Sequence, residues 1–212
     1  MLSYLSRVCS MTGDSMSARI METNPVLEAF GNAKTTRNHN SSRFGKLIRI
    51  MLTSDGANGL YSGGKASIAG ATITNYLLEK SRACFQPEME RNFHIFYQLL
   101  STSDAATRQK FKLQDPSTFW YLNQSGCYRA PGINDDEEWA STQHGFAGLG
   151  VSAFELTHIL QTLSGILHLG NVNFRAVDSA DGTESSEPTD VLCLEAAASL
   201  LEVHADTLLN SL

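Results

Sequence analysis

The stretch from Asn32 to Lys46 reads Asn-Ala-Lys-Thr-Thr-Arg-Asn-His-Asn-Ser-Ser-Arg-Phe-Gly-Lys, and it decides how the rest of the sequence is interpreted. The stretch is polar and has no hydrophobic periodicity, and it lies between an apolar segment at 26–30 and a strand-like segment at 47–52. Asparagine and serine side chains hydrogen-bond to their own backbone and favour turns. The pattern therefore predicts an ordered loop rather than a helix.

The polar side chains of this loop are those that a phosphate group with Mg²⁺ would need. Guanidinium groups bind phosphate oxygens in a bidentate manner, and Mg²⁺ takes oxygen ligands. On composition alone such a run is more often a solvated Asn/Ser linker, so the choice depends on the surrounding sequence. The amide, hydroxyl and guanidinium groups concerned belong to Asn38, Asn40, Ser41, Ser42, Arg37 and Arg43.

Further blocks of sequence give the loop its context. The loop follows Leu-Glu-Ala-Phe-Gly at 27–31, and after it come Tyr-Leu-Leu-Glu-Lys-Ser-Arg at 76–82, Glu-Arg-Asn-Phe-His-Ile-Phe-Tyr-Gln-Leu-Leu at 90–100, Tyr-Leu-Asn-Gln-Ser-Gly at 121–126 and Ile-Leu-His-Leu-Gly-Asn at 166–171. In this order the blocks closely resemble the motor domain of myosins, and the loop resembles its switch I. The sequence is identified as a fragment of a myosin motor domain.

The resemblance implies an α/β fold that is mostly helical, with part of the P-loop-NTPase-type core of the myosin motor. Residues 1–19 do not align with the family and are expected to be disordered. Residues 20–212 would form a partial motor domain. Its parts are the switch I loop at 32–46, two strands of the central sheet with their hairpin loop at 47–78, and a helical upper subdomain of the actin-binding region at 79–212.

The residues themselves predict the secondary structure around the loop. Leu47 to Leu52 and Ser67 to Leu78 favour strands joined as a hairpin, and the apolar first strand suggests burial within a larger sheet. In the chain alone the two strands would lack sheet neighbours, which would expose Leu47 to Leu52 and favour aggregation. Pro25 is expected at a helix break or a new helix start. Residues 93, 96, 97 and 100 form one apolar helical face. Residues 172–174 are predicted as a short strand, residues 176–188 as a surface loop and residues 189–201 as a helix.

Helix caps are predicted from short polar residues before apolar periodic segments. Ser103 or Asp104 can begin one helix, Asn134 or Asp135 a second, and Ser152 a third that Gly170 ends.

The resemblance also implies roles for single residues of the loop. Ser42 would offer its hydroxyl to Mg²⁺, and Ser41 would lie against the γ-phosphate and the attacking water. Asn38 would contact the nucleotide phosphates, and Arg43 would pair with a glutamate of switch II. Asn32 and Asn40 belong to the same nucleotide-binding motif, as do Lys34 and Arg37, whose individual roles are left open. His39 is interpreted as an exposed loop histidine.

A second glycine-rich run is a decoy. Gly59 to Ala66 fits the phosphate-loop spacing G-x-x-x-x-G-K but has alanine where a Mg²⁺-binding serine or threonine should follow. A phosphate loop opens a helix, whereas the residues after this run favour a strand. It is therefore predicted to be a hairpin connection without a ligand.

Other conspicuous side chains are explained by structure. His94, His168, Trp120, Tyr121 and Trp139 are expected to pack in the core or at helix ends. Glu79, Glu90 and Arg91 could form an acid–base cluster. Structural salt bridges are the more common explanation for such residues.

Composition excludes some classes of partner and site. With 16 basic and 22 acidic residues the net charge is −6, so no basic field points to nucleic acid or to an anionic membrane. The four cysteines have no C-x-x-C spacing, which argues against a zinc site and fits a reducing compartment. With no signal peptide or membrane-spanning run, a cytoplasmic location is expected. The resemblance to myosins implies the cytoskeleton.

The expected function is that of a segment of an actin-based motor, with ATP and Mg²⁺ as cofactors of the complete motor. The expected partners are actin filaments and the remainder of the motor domain, and light chains or calmodulin would bind only through regions outside this sequence. A true phosphate loop would precede switch I and switch II would follow residue 212, so the chain is expected to be inactive alone. Two alternatives remain: a catalytically dead helical interaction domain of myosin ancestry, and a small NTPase using the run at 59–65.

Overall fold

The computed structural model describes residues 15–54, 66–178 and 184–212. Helix α1 (Ser15–Gly31) leads into the short strands β1 (Asn32–Ala33) and β2 (Ser41–Ser42), which are followed by the long strands β3 (Gly45–Ser54) and β4 (Ala66–Tyr76). The following elements are α2 (His94–Ser101), α3 (Ala105–Lys110), α4 (Trp120–Asn123), α5 (Asp135–Gly148), α6 (Ala153–Leu169), β5 (Phe174–Asp178), β6 (Glu184–Pro188), α7 (Val191–Leu201) and α8 (Ala205–Leu209).

Helix α1 runs through Pro25, so the predicted break at this residue is wrong. A proline inside a helix forfeits one backbone hydrogen bond, and packing must offset that loss. The packing surface is α5. Gly145 allows the two helices to approach closely, since a Cβ there would lie 2.7 Å from the backbone oxygen of Glu22. Because α1 begins at Ser15, residues 15–19 are helical, and the prediction of disorder for residues 1–14 lies outside the described residues.

Strands β3 and β4 form the predicted antiparallel hairpin, with a register shift between Met51 and Leu52. One face, containing Ile48 and Ile50, is half-buried, and α1 lies against β4. The prediction that this strand is exposed when the chain is alone is confirmed for the described residues. Leu47, Met51 and Leu52 are 54%, 49% and 44% exposed, because within the described ranges β3 and β4 have only each other as sheet neighbours.

Helix α2 is the centre of the molecule and is buried from His94 to Leu100, not only along the predicted apolar face. Helices α1 and α5 contact it, and α6 contributes further core residues. Full burial of a short helix explains why its sequence is apolar on nearly every side. The core residues beside it include Ala29, Phe111, Leu113, Phe119, Leu122, Trp139, Leu160, Leu163 and Leu167.

The predicted helix starts are confirmed at three places. The side chain of Asp104 accepts a hydrogen bond from the backbone N–H of Thr107, and Asn134 accepts one from that of Asp136. Ser152 forms a complete capping box, and the helix that follows ends at Gly170, as predicted.

Two predictions in the C-terminal half need correction. Residues 174–178 and 184–188 pair as the antiparallel hairpin β5–β6, so most of the predicted surface loop and part of the supposedly helical subdomain are sheet. A local excess of polar residues does not exclude a strand whose two faces are both exposed. Trp120 is 55% exposed and does not anchor the core, whereas Trp139, at 6%, does.

Candidate functional site

The loop 32–46 is held at its base by backbone hydrogen bonds. Strand β1 pairs antiparallel with β2, so that Asn32 lies opposite Ser42, and the N–H of Arg43 donates to the Gly31 carbonyl over 2.7 Å. The prediction of an ordered loop rather than a helix is confirmed, and short strands close its base. Gly31 is required here, because a Cβ would lie 2.0 Å from a ring carbon of Phe44.

The tip of the loop is a compact turn. The backbone N–H of Thr35 donates to the Asn38 carbonyl over 2.8 Å, and the Thr35 hydroxyl accepts from the Asn38 N–H over 3.1 Å. The Asn38 side chain then accepts from the N–H of Asn40 over 2.9 Å. Residues 36–40 are exposed, including His39, as predicted. Asparagine at 38 and 40 thus stabilises a turn that faces solvent.

Asn40 connects the loop to the helical core. Its Oδ1 accepts from Asn32 Nδ2 over 2.9 Å and lies 3.2 Å from His94 Nε2, while its Nδ2 donates to Glu28 over 3.0 Å. Burial lowers the pKa of His94 to about 3, and the nearby Arg91 charge contributes to the shift. His94 is therefore neutral at physiological pH. Since an amide oxygen only accepts, the His94 proton is assigned to Nε2.

The end of the loop is anchored by an ion pair. Arg43 Nε donates to Glu79 Oε2 over 2.6 Å, Arg43 Nη1 donates to the Ser41 hydroxyl over 3.3 Å, and the N–H of Glu79 returns a hydrogen bond to the Arg43 carbonyl over 3.0 Å. Both side chains of the pair are about one-third exposed, at 29% and 32%. In this chain Arg43 thus has a carboxylate partner 36 residues away.

Arg82 extends this pair into a network. It donates to Glu79 over 2.8 Å and to Glu90 over 2.8 Å, and its side chain is only 3% exposed. Burial acts to raise the pKa of Glu79, but the hydrogen bonds from Arg43 and Arg82 outweigh it and hold this pKa below its usual value. Burial likewise acts to lower the pKa of Arg82, and the two carboxylates outweigh it and raise that pKa. Glu79 and Arg82 are therefore charged at neutral pH.

Arg91 forms a separate, structural pair. It donates two hydrogen bonds to Asp135, over 2.9 and 2.7 Å, and lies 3.8 Å from the centre of the Tyr97 ring. Its side chain is 0% exposed. The prediction of structural salt bridges for the three charged residues at 79, 90 and 91 is confirmed.

Ser42 lies apart from these networks. Its hydroxyl donates to the Phe44 carbonyl over 2.9 Å, and the residue is exposed. A hydroxyl whose proton is donated still has lone pairs for another ligand. Among the described residues no cluster of three His, Cys, Asp or Glu could bind a metal ion by itself.

The structure brings the predicted site residues together in groups rather than at one point. Ser41 and Arg43 are in contact, and Asn32, Asn38 and Asn40 form a chain of hydrogen bonds. Sequence reasoning missed Arg82, and the only local signal was its spacing of three residues from Glu79. It also missed the contact of Asn40 with His94, because the two residues are 54 positions apart and no local pattern indicates it.

The second glycine-rich run, 59–65, lies outside the described residues. Residues 66–76 after it form β4, so a strand follows the run, as predicted. The helix that a phosphate loop needs is not formed by these residues.

A sequence model of the myosin head (motor domain) matches residues 1–212, and the match includes the residues left unaligned in the sequence analysis. The chain belongs to the myosin motor-domain family. It is 40% identical over 211 residues to Myosin-17 of Arabidopsis thaliana, covering the whole chain and 13% of that protein. It is 42% identical over 193 residues to the Myosin IB heavy chain of Dictyostelium discoideum, covering 91% of the chain and 16% of that protein.

The chain therefore spans about one-eighth to one-sixth of the length of these myosins. In the parts of this myosin-family chain that the structure describes, no helix has the length and apolar character to cross a membrane.

Proposed function

We propose that the chain is a segment of an actin-based myosin motor in which the loop 32–46 acts as switch I. The observation that carries the proposal is the combination of anchored ends and an exposed, polar tip. The base is fixed by β1–β2 pairing and by the Arg43–Glu79 pair, whereas residues 36–40 and Ser42 face solvent. A loop of this kind can present side chains to a ligand that another part of the protein holds.

The residues present fit a bound Mg²⁺–nucleotide. Ser42 would hold Mg²⁺ through its hydroxyl oxygen, which donates its proton to the Phe44 carbonyl. Ser41 would contact the γ-phosphate and the attacking water, and Asn38 would contact the nucleotide phosphates. Asn32 and Asn40 would stabilise the turn that contains Asn38. Mg²⁺ bound there would neutralise phosphate charge.

Arg43 would exchange partners when the site closes. Family resemblance assigns it a glutamate of switch II, a segment outside this chain, whereas here it binds Glu79 over 2.6 Å. Arg82 also binds Glu79, over 2.8 Å. Glu79 would therefore keep a cationic partner after Arg43 leaves, and the exchange would not leave an unpaired carboxylate. Actin, the rest of the motor domain, ATP and Mg²⁺ are proposed for the complete motor on the same basis.

A chimera tests this function. In the Dictyostelium Myosin IB heavy chain, the 193 matching residues are replaced by those of this chain. We expect actin-stimulated Mg·ATP turnover to be retained. Arg43→Ala should lower kcat about 100-fold or more while the affinity for ATP changes little, because only closure depends on the pair.

Arg49→Ala, which removes an exposed charge of β3 outside the loop, is the control and should leave kcat close to that of the parent chimera. Unchanged turnover in Arg43→Ala would contradict the role of Arg43. A folded chimera that binds actin but never hydrolyses ATP would instead favour a catalytically dead interaction domain.

A further inference from the structure

Arg82 has a buried guanidinium group. In the proposed function its only role is to remain the cationic partner of Glu79 when Arg43 leaves. It lies in a single 3-10 turn at 80–83, and it donates through all three of its nitrogens. Nε donates to Glu79 over 2.8 Å, Nη2 donates to Glu90 over 2.8 Å, and Nη1 donates to the Arg91 carbonyl over 3.1 Å. With a side chain that is 3% exposed, Arg82 is held in one geometry.

The two carboxylates that Arg82 binds hold the loop 32–46 at two points, one where its tip begins and one near its end. Glu90 Oε1 accepts the backbone N–H of Thr36 over 3.2 Å, at the beginning of the exposed tip. Glu79 Oε2 accepts Arg43 Nε over 2.6 Å, at the end of the loop. Within the described ranges, neither carboxylate is hydrogen-bonded to the point that the other one holds. Arg82 is therefore the one side chain, among the described residues, that the structure shows bound to both anchors.

We propose that Arg82 is a positioning residue that sets the separation of Thr36, where the tip of the loop begins, and Arg43, near the end of the loop. The planar guanidinium fixes the directions of its hydrogen bonds, so Glu79 and Glu90 are held at a defined spacing. A lysine has the same charge, but its single ammonium cannot reproduce this fork. The inference rests on the proposed function in one respect only: the loop must be switch I for its geometry to affect ATP turnover.

Amide hydrogen exchange in the 212-residue chain tests the inference directly. In Arg82→Lys, we expect the amides of Thr36 and Glu79 to exchange about tenfold faster, the factor expected when a charge-assisted hydrogen bond is lost. The amides of the core helix α6 should keep their rates. Faster exchange that is uniform over the whole chain, or no change at the loop, would overturn the proposal.

Arg108→Lys is the matched control. Arg108 also donates to several carbonyls, those of Leu100, Thr102 and Leu113, but it does not contact the loop. Its replacement should leave the exchange rates of Thr36 and Glu79 unchanged.

Glu90→Gln tests the Glu90–Thr36 contact separately from the Glu79–Arg43 contact. It should disturb the fold less than a replacement of Arg82, because it keeps the size and shape of the side chain. We expect faster exchange at Thr36, because its acceptor loses the negative charge, and an unchanged rate at Glu79, whose pairs with Arg43 and Arg82 remain. Equal acceleration at both amides would contradict independent anchoring of the two points.

Turnover in the chimera distinguishes this inference from the proposed function. If Arg82→Lys speeds exchange at both Thr36 and Glu79 and kcat falls about tenfold at unchanged KM, the positioning role of Arg82 and the switch I role of the loop are both supported. If the anchors loosen and turnover does not change, Arg82 positions the loop but the loop is not switch I. If exchange at the loop is unaffected, the positioning role fails whatever happens to turnover.

Discussion

At the scale of single residues, the neutral ring of His94 joins the core to the loop. The ring is 3% exposed, and its Nε2 lies 3.2 Å from Asn40 Oδ1. Its Nδ1 is buried without a hydrogen-bond partner among the described groups. Protonation would place a charge on this buried ring, near Arg91, and burial is the larger of the two causes that lower its pKa to about 3.

This pKa predicts how stability depends on pH. Above pH 6.5, the ordinary value of a histidine, the ring is neutral in both the folded and the unfolded chain. As the pH falls from there towards 3, the unfolded chain binds a proton that the folded chain does not, so the free energy of unfolding decreases. The contribution of this ring approaches about 1.4 kcal/mol per pH unit within that window.

Urea unfolding between pH 7.5 and 5 measures the effect. The parent should lose more stability over this range than His94→Gln, which has no proton to bind at this position. If the two proteins lost stability in parallel, the buried ring would not be the source.

At the scale of elements, the capping box decides where α6 begins. The backbone N–H of Glu155 donates to the Ser152 hydroxyl over 3.2 Å, and the Glu155 carboxylate accepts from the Ser152 N–H over 2.8 Å. The helix carries Leu160, Leu163 and Leu167 into the core. Fraying at its first turn would shorten a helix on which that core depends.

Replacing the cap residue should therefore destabilise the chain. We expect Ser152→Ala to lower the free energy of unfolding by about 1 kcal/mol, the usual effect of losing a serine N-cap. Ser141→Ala is the control, because that hydroxyl donates to the Glu137 carbonyl inside α5 and caps no helix end. Its free energy of unfolding should stay within about 0.5 kcal/mol of that of the parent. Equal losses in the two variants would show that the cap does not matter.

At the scale of the whole molecule, the hairpin β3–β4 leaves apolar surface uncovered. Leu47, Met51 and Tyr76 lie on its open face, at 54%, 49% and 52% exposure. Both strands also have an outer edge without a neighbour among the described residues. Exposed apolar strands with open edges are sites of self-association. In a myosin motor other parts of the protein are expected to cover this hairpin.

A lysine on this face should keep the chain monomeric. We expect Leu47→Lys to reduce self-association in sedimentation velocity experiments, because the charge cannot be buried between two hairpins. Leu192→Lys is the matched control: Leu192 is 74% exposed but lies on α7, away from the hairpin. If both variants lowered self-association equally, general charge rather than the hairpin would be responsible.

The sequence by itself determined the family, the β3–β4 hairpin and the starts of three helices. These follow from local signals, since caps and turns act within about four residues and strand patterns within one segment. The order of the sequence blocks at 76–82 and 90–100 can also be read without a structure. The proposed site residues were named from the loop 32–46, and their roles stay predictions.

Only the tertiary structure decided which charged groups meet. Arg43 and Glu79 are 36 residues apart, and Arg91 and Asp135 are 44 apart, so no local pattern links them. Pro25 stays helical because α1 packs against α5. Burial and pairing depend on what the rest of the chain brings near, and that is a property of the packed molecule.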